Sequence, residues 1–447
     1  MSEANAIYLD YAATTPADSE VVKAMIPYFT DVFGNASSVH SYGRQARAAV
    51  DQSRETIAKF LNCQTTEIIF TSGGSESDNL AIRGLIKSQK SNLKNQNDKS
   101  KLKIPHIITT QFEHHAVLNT IKELEKEGEI EATYIQPSKD GLVDPESIKK
   151  AIKENTILVS IIYVNNEIGT VQPIREIGKL IQRINVNRQP STVNRENNGQ
   201  RTTDNGQRIF FHTDAVQAAE YFKMDVDFLH VDMLTMTAHK IYGPKGVGLL
   251  YIRKGTPISR LITGGEQEYR KRAGTENTAG IVGFGKAVEL LCHSEQREES
   301  PVNTGKKGLK QVQRSFTDVQ DDETNGIKHL RDKLIDGILK SVPDSFLNGS
   351  REFRSPANAN ISFMNAEGES ILLNLDMEGI AASTGSACTS GALEPSHVLL
   401  SLGLKPEQCH GSIRFTLGRQ TTEAEIDQVL KVLSPIVDKL RMMSPFK

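Results

Sequence analysis

The stretch EIIFTSGGSESDNLAI, residues 67–82, contains the local pattern that decides the fold. A short apolar run, EIIF (67–70), leads into Ser-Gly-Gly-Ser, and an amphipathic helical pattern begins at Ser75. Glycine lets backbone N–H groups approach an anion, and the start of a helix supplies partial positive charge. The stretch therefore predicts a phosphate-binding turn at Gly74 and Ser75. A ligand-free strand-to-helix turn with a serine cap is the alternative that this stretch alone leaves open.

Outward from this stretch, short apolar runs that predict buried strands alternate with helical patterns. The predicted strands are EIIF (67–70), HIIT (106–109), TILVSIIYV (156–164), RIFFHTD (208–214) and VGLLYI (247–252). Helical patterns at 75–86, 116–127 and 173–183 fall between several of them. Doubly apolar strands that alternate with helices indicate a mainly parallel sheet covered on both faces.

The pattern changes after about residue 270, where helices with scattered strands follow, among them ANISF (359–363) and SIRFTL (412–417). We predict a large α/β domain over residues 18–268 and a smaller α+β domain formed by residues 1–17 with 269–447. Three polar stretches, about 87–103, 185–208 and 293–325, are poor in large apolar residues, so we predict partly disordered surface insertions there.

Composition excludes several classes of function. Among 447 residues, 53 basic and 55 acidic side chains leave a net charge of −2, so no global field favours nucleic acid or an anionic membrane. No apolar run approaches the roughly 20 residues that span a bilayer, and the amino terminus lacks the pattern of a secretory signal. The four cysteines have no CxxC spacing, which argues against a disulfide framework or a metal cage and fits a reducing cytoplasm.

Three further stretches contain residues that suit covalent and acid–base chemistry. In MLTMTAHKIYGPKGVGLLYI (233–252), Lys240 follows an apolar segment, and a lysine becomes a nucleophile when burial or nearby cations lower its pKa. Asp214 ends the strand in FFHTDAVQA (210–218), at the position where ligands collect in open α/β sheets. His114 and Asn166 follow two other predicted strands. Taken singly, these residues are equally explained as an exposed turn, a helix cap and loop hydrogen-bonding groups.

Cys388 lies in ASTGSACTSGALEPSHVL (382–399), among small residues typical of an exposed loop. A thiol there would be accessible and could reach a substrate through movement of the loop. A small residue in a flexible linker is the alternative, but cysteine otherwise prefers burial.

The order of these motifs resembles the cysteine desulfurases, a class V branch of the pyridoxal-phosphate enzymes with the aspartate-aminotransferase fold. The similarity is collinear over nearly the whole chain and is interrupted only by the three polar stretches. The motifs are LDYAATTP, FGNASSVH, TSGGSESDN, EHHAVL, VNNEIG, HTDAVQ, AHKIYGPKG, RAGTEN, GSACTSG and IRFTLGR.

The resemblance implies that the chain binds pyridoxal 5'-phosphate (PLP). Lys240 would bond to the cofactor and move the substrate Cα proton, Asp214 would pair with the pyridine nitrogen, and His114 would stack on the ring. Further cofactor contacts are implied at the phosphate or near the 3'-oxygen of the ring: Gly74, Ser75, Thr237 and His239 for the first, Asn166 and Gln217 for the second.

For the substrate, the resemblance implies that Arg414 clamps the carboxylate, with Asn35 and Asn166 nearby. A planar guanidinium suits this task better than an ammonium group. Thr275, in RAGTEN, would reach the phosphate of the other subunit, so a homodimer is implied. Two departures from the family pattern are Ala36, where proline is usual, and Ala238, where glycine is usual; neither removes a catalytic group.

The implied activity is conversion of L-cysteine to L-alanine through aldimine and ketimine chemistry, with a persulfide formed on Cys388. The sulfur would pass to an iron–sulfur scaffold, with Cys388 able to take part in cluster ligation, or to a sulfur carrier for transfer-RNA thiolation. No metal, nucleic acid or membrane partner is expected. The alternatives are a selenocysteine lyase or another class V enzyme, such as a small-amino-acid aminotransferase, and a catalytically silent relative that acts as a binding partner.

Overall fold

A computed structural model describes residues 6–94, 104–188, 208–295, 322–384 and 394–443. The stretch with Cys388 and most of each predicted insertion lie outside these residues. Where the polar stretches are described, residues 87–94, 185–188, 293–295 and 322–325 are helical, and the bounds of the insertions stay a prediction. Lys, Gln and Ser at an exposed helix end give the same polar composition as a loop. Lys87 illustrates the difference, since its Nζ donates to the carbonyl oxygen of Arg260 at 3.0 Å.

Twelve strands are present in the described residues, seven of them in one sheet with the order β2-β8-β7-β6-β5-β3-β4. The strands are β1 (Ile7–Tyr8), β2 (Ile68–Thr71), β3 (His106–Thr110), β4 (Glu131–Ile135), β5 (Thr156–Ser160), β6 (Phe210–Asp214), β7 (Met233–Thr237), β8 (Gly248–Ile252), β9 (Ser345–Leu347), β10 (Asn358–Phe363), β11 (Ile380–Ala381) and β12 (Ser412–Thr416). In the seven-stranded sheet β8 alone runs against its neighbours, so the predicted mainly parallel sheet is confirmed.

The helices cover both faces of this sheet and also pack against a smaller three-stranded one. They are α1 (Ser19–Met25), α2 (Pro27–Thr30), α3 (Ser41–Leu61), α4 (Gly74–Lys94), α5 (His115–Lys126), α6 (Pro145–Ala151), α7 (Ile174–Arg188), α8 (Val226–Leu229), α9 (Thr278–Glu295), α10 (Asp322–Ser341), α11 (Gly368–Met377), α12 (His397–Ser401), α13 (Pro406–His410) and α14 (Glu423–Met443). Within the described ranges, none of these helices is both long and apolar enough to cross a membrane.

The alternation of side chains along each strand separates two hydrophobic layers. In β5, Leu158 packs with helices α4 and α5, whereas its neighbour Val159 packs with α3, α7 and α9 on the opposite face. Phe210 and Phe211 of β6 divide in the same way. Successive strand residues point to opposite faces, so a run that is apolar at every position is buried on both sides. This arrangement explains why the central strands read as continuous apolar runs.

A second hydrophobic core lies under the sheet β12-β10-β9 and helices α10, α11 and α14. The start of the chain joins it, because β1 pairs in parallel with β11 and Leu9 lies in the same core. Helix α9 packs instead with the large sheet, through Phe284 and Val288. The domain boundary near residue 268 stays a prediction.

The carboxyl ends of the parallel strands meet at one edge of the large sheet. β2 ends before Gly74, β3 before Glu113 and His114, β6 at Asp214, and β7 before the 3-10 turn Ala238–Lys240. Strands that run in one direction bring their carboxyl ends to the same edge, where open α/β sheets bind ligands. The β12 strand of the smaller sheet approaches this edge and carries Arg414.

Candidate active site

A cavity of about 410 Å³ opens at this edge of the sheet, between the two cores. Most residues that the sequence singled out line it: Gly74, Ser75, His114, Asn166, Asp214, Gln217, Thr237, His239, Lys240 and Arg414. Six separate chain segments contribute them, so the cavity exists only once the sheet has assembled.

Lys240 is held in place by the amino-terminal segment of the chain. Its Nζ donates to the carbonyl oxygens of Ala12 and, at 2.6 Å, of Ala13. The 3-10 turn that carries it is compact, because a Cβ at Gly243 would lie only 2.7 Å from the Cβ of Ala238. Ala238 itself is buried in a 3-10 turn, so glycine is not required at that position. The lysine amine therefore has a fixed position in the cavity wall.

Asp214 and Asp78 form a pair of buried carboxyl groups on the floor of the cavity. Carboxylate oxygens of both, together with a ring nitrogen of His114, lie within 4.8 Å of one another. Burial raises the pKa of Asp214 to about 6, although the amide of Val216, which donates to Oδ1 at 3.0 Å, and the charge of Lys240 oppose the shift. Burial, and then the charge of Asp214, raise the pKa of Asp78 well above its usual value. Of the pair, Asp214 ionises first and Asp78 keeps its proton.

His114 presents a neutral imidazole ring to the cavity. Burial lowers its pKa to about 4, and positive charge on His115 and Lys240 acts in the same direction. Its Nδ1 accepts from the amide of Ala116 at 3.2 Å and so caps α5. The cap fixes the orientation of the ring, which suits stacking on a flat ligand.

The start of α4 lines the cavity and would be the cradle for an anion that the sequence predicts. A Cβ at Gly74 would lie 3.1 Å from Cγ2 of Val216, so the backbone there leaves little space for a side chain. His239 lies nearby and contacts Thr14 through Nδ1 at 3.2 Å, and burial lowers its pKa to about 4. Thr237 lines the same region, but its hydroxyl donates to the carbonyl oxygen of Val247 at 3.1 Å. Thr237 would have to rotate before it could donate to a phosphate.

Arg414 forms the opposite wall of the cavity. Its two terminal nitrogens donate to the carbonyl oxygen of Asn166 and to Oδ1 of Asp10, each at 2.9 Å. The side chain is buried, and within the described residues its Nε has no hydrogen-bond partner. The side-chain Oδ1 of Asn166 is likewise buried and unpaired there. Unpaired buried polar atoms around a cavity indicate a polar ligand.

Two of the described residues of the predicted site, Asn35 and Thr275, do not line this cavity. Asn35 and Thr275 are exposed, and Oδ1 of Asn35 accepts from the amide of Ser37 at 2.8 Å. Ala36, next to Asn35, is buried, and its carbonyl oxygen accepts from Arg47. Cys388 lies outside the described residues.

Several residues of the cavity were not given a role from the sequence. Asp78 follows Gly74 by one helical turn, which places it on the side of α4 that faces the sheet. Glu167 is buried in the cavity wall, and Glu113 is buried beside the cavity-lining His114. His397 stacks near His115, with ring centroids 4.6 Å apart. The spacing of Asp78 was a usable signal, whereas the position of His397 depends on tertiary packing.

The fold and the cavity are those of a class V aminotransferase, and the sequence model described as "Aminotransferase class-V" matches residues 7–187 and 196–429. The chain is 46% identical over 441 residues to a cysteine desulfurase IscS of Dictyoglomus turgidum, which covers 99% of this chain and 97% of that protein. It is 44% identical over 444 residues to cysteine desulfurase IscS of Methanosarcina thermophila, covering 99% of this chain and 95% of that protein. The chain therefore belongs to the cysteine desulfurase family.

Solved structures agree with this assignment. A NifS-like protein superposes with a TM-score of 0.79 at 31% identity, covering 98% of this chain and all of that one. A structure described as SspA in complex with cysteine superposes with a TM-score of 0.71 at 32% identity, covering 93% of this chain and all of that one. The predicted fold, a large α/β part with a mainly parallel sheet and a smaller α+β part, is confirmed.

Proposed function

We propose that this chain is a PLP-dependent cysteine desulfurase that converts L-cysteine to L-alanine and leaves the sulfur as a persulfide on Cys388. The observation that carries the proposal is the meeting of Lys240, Asp214, His114 and Arg414 in one cavity. An amine, an acid, a flat neutral ring and a guanidinium are the groups that PLP chemistry on an amino acid requires.

The residues present fit PLP. The cradle at Gly74 and Ser75 would hold the phosphate, with His239 and Thr237 beside it, and Asp214 would hold the pyridine nitrogen in its protonated form. The unpaired Oδ1 of Asn166 lies in the same cavity, and with Gln217 it would face the 3'-oxygen. When bound, PLP accepts electron density from Cα of the substrate and so makes the Cα proton acidic.

Lys240 and Arg414 would have different roles toward the substrate: Lys240 in proton transfer at Cα and Arg414 in carboxylate binding. The carbonyl oxygens of Ala12 and Ala13 hold Nζ of Lys240, which would carry the cofactor and then move the proton at Cα. Arg414 would bind the substrate carboxylate through donors that its protein partners leave unused. Asn35 would act on the substrate only after a change at the exposed segment that carries it.

Cys388 would act as the sulfur acceptor. Its thiolate attacks the substrate sulfur, the S–S bond of the persulfide forms and the C–S bond breaks, and Cβ gains a proton to give alanine. Backbone bonds join Ser383 to Arg414 in both directions, at 2.7 and 3.2 Å. Cys388 follows Ser383 by five positions, so a fully extended chain would reach at most roughly 17 Å from Ser383.

The described part of the chain offers a reason for a homodimer. Thr275 is exposed and outside the cavity, so a phosphate contact from it would have to be made to another subunit. Large apolar side chains are also exposed from the C-cap of α1 through α2 to the start of α3: Ile26, Phe29, Phe33, Val39 and Tyr42. An apolar surface of this kind is expected to be covered by a partner, and a second copy of the chain is the partner proposed here.

The physiological acceptor proposed for the persulfide is an iron–sulfur scaffold or a sulfur carrier, in the reducing cytoplasm that a reactive thiol requires. A selenocysteine lyase would use the same cavity. Transamination, by contrast, needs no cysteine, so the role of Cys388 separates it from the proposed reaction.

The test is to supply the purified protein with L-cysteine and a thiol reductant and to measure alanine and sulfide. We expect equal amounts of both, and we expect Cys388→Ala to abolish both. Cys63→Ala is the matched control, because burial raises the pKa of the Cys63 thiol to about 12 and keeps it unreactive. Alanine formation that survives Cys388→Ala would overturn the mechanism.

A further inference from the structure

Arg414 is fixed by a contact that spans almost the whole chain. One terminal nitrogen donates to Oδ1 of Asp10, 404 positions away, and the other donates to the carbonyl oxygen of Asn166. The guanidinium is buried, whereas about a fifth of the Asp10 side chain is exposed. Asp10 is therefore the carboxylate that directly balances a buried positive charge at the cavity wall.

The backbone around Asp10 holds this carboxylate in place. The amide of Tyr11 donates to the carbonyl oxygen of Thr416, and the amide of Thr416 donates to that of Leu9 at 2.8 Å. The hydroxyl of Tyr8 donates to the carbonyl oxygen of Asp10 at 3.1 Å. Asp10 and Arg414 thus lie on neighbouring segments with fixed spacing, and rearrangement of one would disturb the other.

The two contacts leave part of the guanidinium free for a ligand. A guanidinium has five N–H donors, and each protein contact uses one donor of a different terminal nitrogen. Nε is buried without a partner among the described residues, and Arg414 lines the cavity. A planar group held at two nitrogens has one orientation, and its unused donors match a carboxylate.

We propose that Asp10 is a positioning residue that, with the carbonyl oxygen of Asn166, orients Arg414 to bind substrates carrying a carboxylate. This inference rests on the proposed function, because it takes Arg414 as the carboxylate-binding residue. Asp10 does not touch the reacting atoms, so its effect should fall on substrate binding rather than on the rate of the chemical step.

A competing interpretation is that Asp10 occupies the place of the substrate carboxylate and must be displaced. The second N–H of each terminal nitrogen argues against displacement, because these donors stay unused while Asp10 remains in contact. The two interpretations predict opposite changes in carboxylate affinity when Asp10 is replaced. If Asp10 positions Arg414, its removal weakens the binding of carboxylates; if Asp10 competes, its removal strengthens that binding.

The experiment compares Asp10→Asn and Asp10→Glu with the unaltered holoenzyme. The probes are L-cysteine, for KM and kcat, and L-alanine, a carboxylate without a thiol, for a dissociation constant from the change in the visible spectrum of the holoenzyme. Cysteamine, which lacks the carboxylate, is the negative probe. Asp140→Asn, at an exposed carboxylate that forms no ion pair with Arg414, is the matched control.

We expect Asp10→Asn to raise the KM for L-cysteine and the dissociation constant of L-alanine roughly 10- to 100-fold, with kcat changed less than about threefold. Binding of cysteamine and all parameters of Asp140→Asn should be unchanged. Asp10→Glu keeps the charge and should recover a large part of the loss. If Asp10→Asn does not fold, a smaller loss of the same kind in Asp10→Glu decides the question.

Unchanged or tighter L-alanine binding in Asp10→Asn would overturn the inference, as would an equal effect on cysteamine. Arg414→Lys separates this outcome from failure of the proposed function. If Arg414→Lys weakens carboxylate binding while Asp10→Asn does not, only the role of Asp10 is wrong. If Arg414→Lys also leaves carboxylate binding unchanged, the carboxylate site itself is wrong.

Discussion

The floor of the cavity, formed by Asp78 and Asp214, and the opposite wall, formed by Arg414, differ in how buried charge is compensated. Asp78 on the floor and Glu113, the chain neighbour of His114, are buried, and neither forms an ion pair with Lys or Arg among the described residues. Burial raises the pKa of Glu113 to about 8. On the wall, the buried guanidinium of Arg414 is balanced directly by Asp10. The buried carboxyl groups of Asp78 and Glu113 are therefore protonated and neutral, whereas the guanidinium of Arg414 on the wall stays charged.

This difference follows from the partners that each surface provides. Desolvation raises the pKa of a buried carboxyl group that has no cationic partner, so such a group keeps its proton to a higher pH. A group that recognises a carboxylate must stay charged and keep its orientation, which requires partners. On the floor the central group is Asp214, whose pKa of about 6 lies between that of an exposed aspartate and that of Glu113.

The largest effect should come from neutralising the ionised member of the floor. Asp214→Asn removes the carboxylate that would keep the pyridine nitrogen protonated, so we expect kcat for L-cysteine to fall roughly 10²- to 10³-fold. Steady-state alanine formation measures the effect, and the visible spectrum verifies that the cofactor is bound. A loss confined to KM would contradict the assignment of Asp214 to the floor chemistry.

How much of this division could be predicted from the sequence depends on the range of the interactions. The position of Asp214 at the end of a strand and of Lys240 in a turn followed from local patterns and motif order, and the structure brings both to one cavity. Strands β4 and β7 were not identified, because EATYI and MLTMT lack a distinctive period. The strand predicted over 156–164 ends at Ser160, although the amides of Ile161 and Tyr163 still bond to β6.

On the wall, the sequence predicted Arg414 but not the ion pair that Arg414 forms with Asp10. Nothing in the neighbourhood of Asp10 indicates an ion pair with a residue 404 positions later. The protonation of the floor was equally hidden, because Asp78 has the appearance of an ordinary polar residue in SESDN until its burial is known. Residue type and spacing identify candidates, but burial decides whether they are charged.

The next effect concerns the pH dependence of stability in the cofactor-free protein. The pKa of Glu113 is raised from 4.5 to about 8, so the folded state binds a proton that the unfolded state has lost between these values. Stability conferred by this proton is present below about pH 4.5 and is lost as the pH rises toward 8. In the unaltered protein the free energy of unfolding should therefore fall by on the order of a few kcal/mol over this pH range, and we expect this fall to be absent in Glu113→Gln.

Chemical unfolding at several pH values between these limits measures that decrease. Glu127→Gln, at the exposed C-cap of α5, the helix that begins two residues after Glu113, is the control and should keep the pH dependence of the unaltered protein. The comparison uses the slope of the free energy of unfolding against pH. A constant effect of the introduced glutamine on stability does not change this slope. If this slope is the same in Glu113→Gln and in the unaltered protein, Glu113 is not the group whose protonation makes stability depend on pH.

The smallest effect should come from Asp78, although it lies beside Asp214. A carboxyl group that keeps its proton is neutral, and Asn has nearly the same shape, so Asp78→Asn changes no charge on the floor. We therefore expect kcat and KM for L-cysteine to change less than about threefold, against the loss of roughly 10²- to 10³-fold in Asp214→Asn. Both variants make the same chemical change within one carboxyl pair, so each is the control for the other. Comparable losses in the two would show that both carboxylates are ionised, and the contrast between floor and wall would then fail.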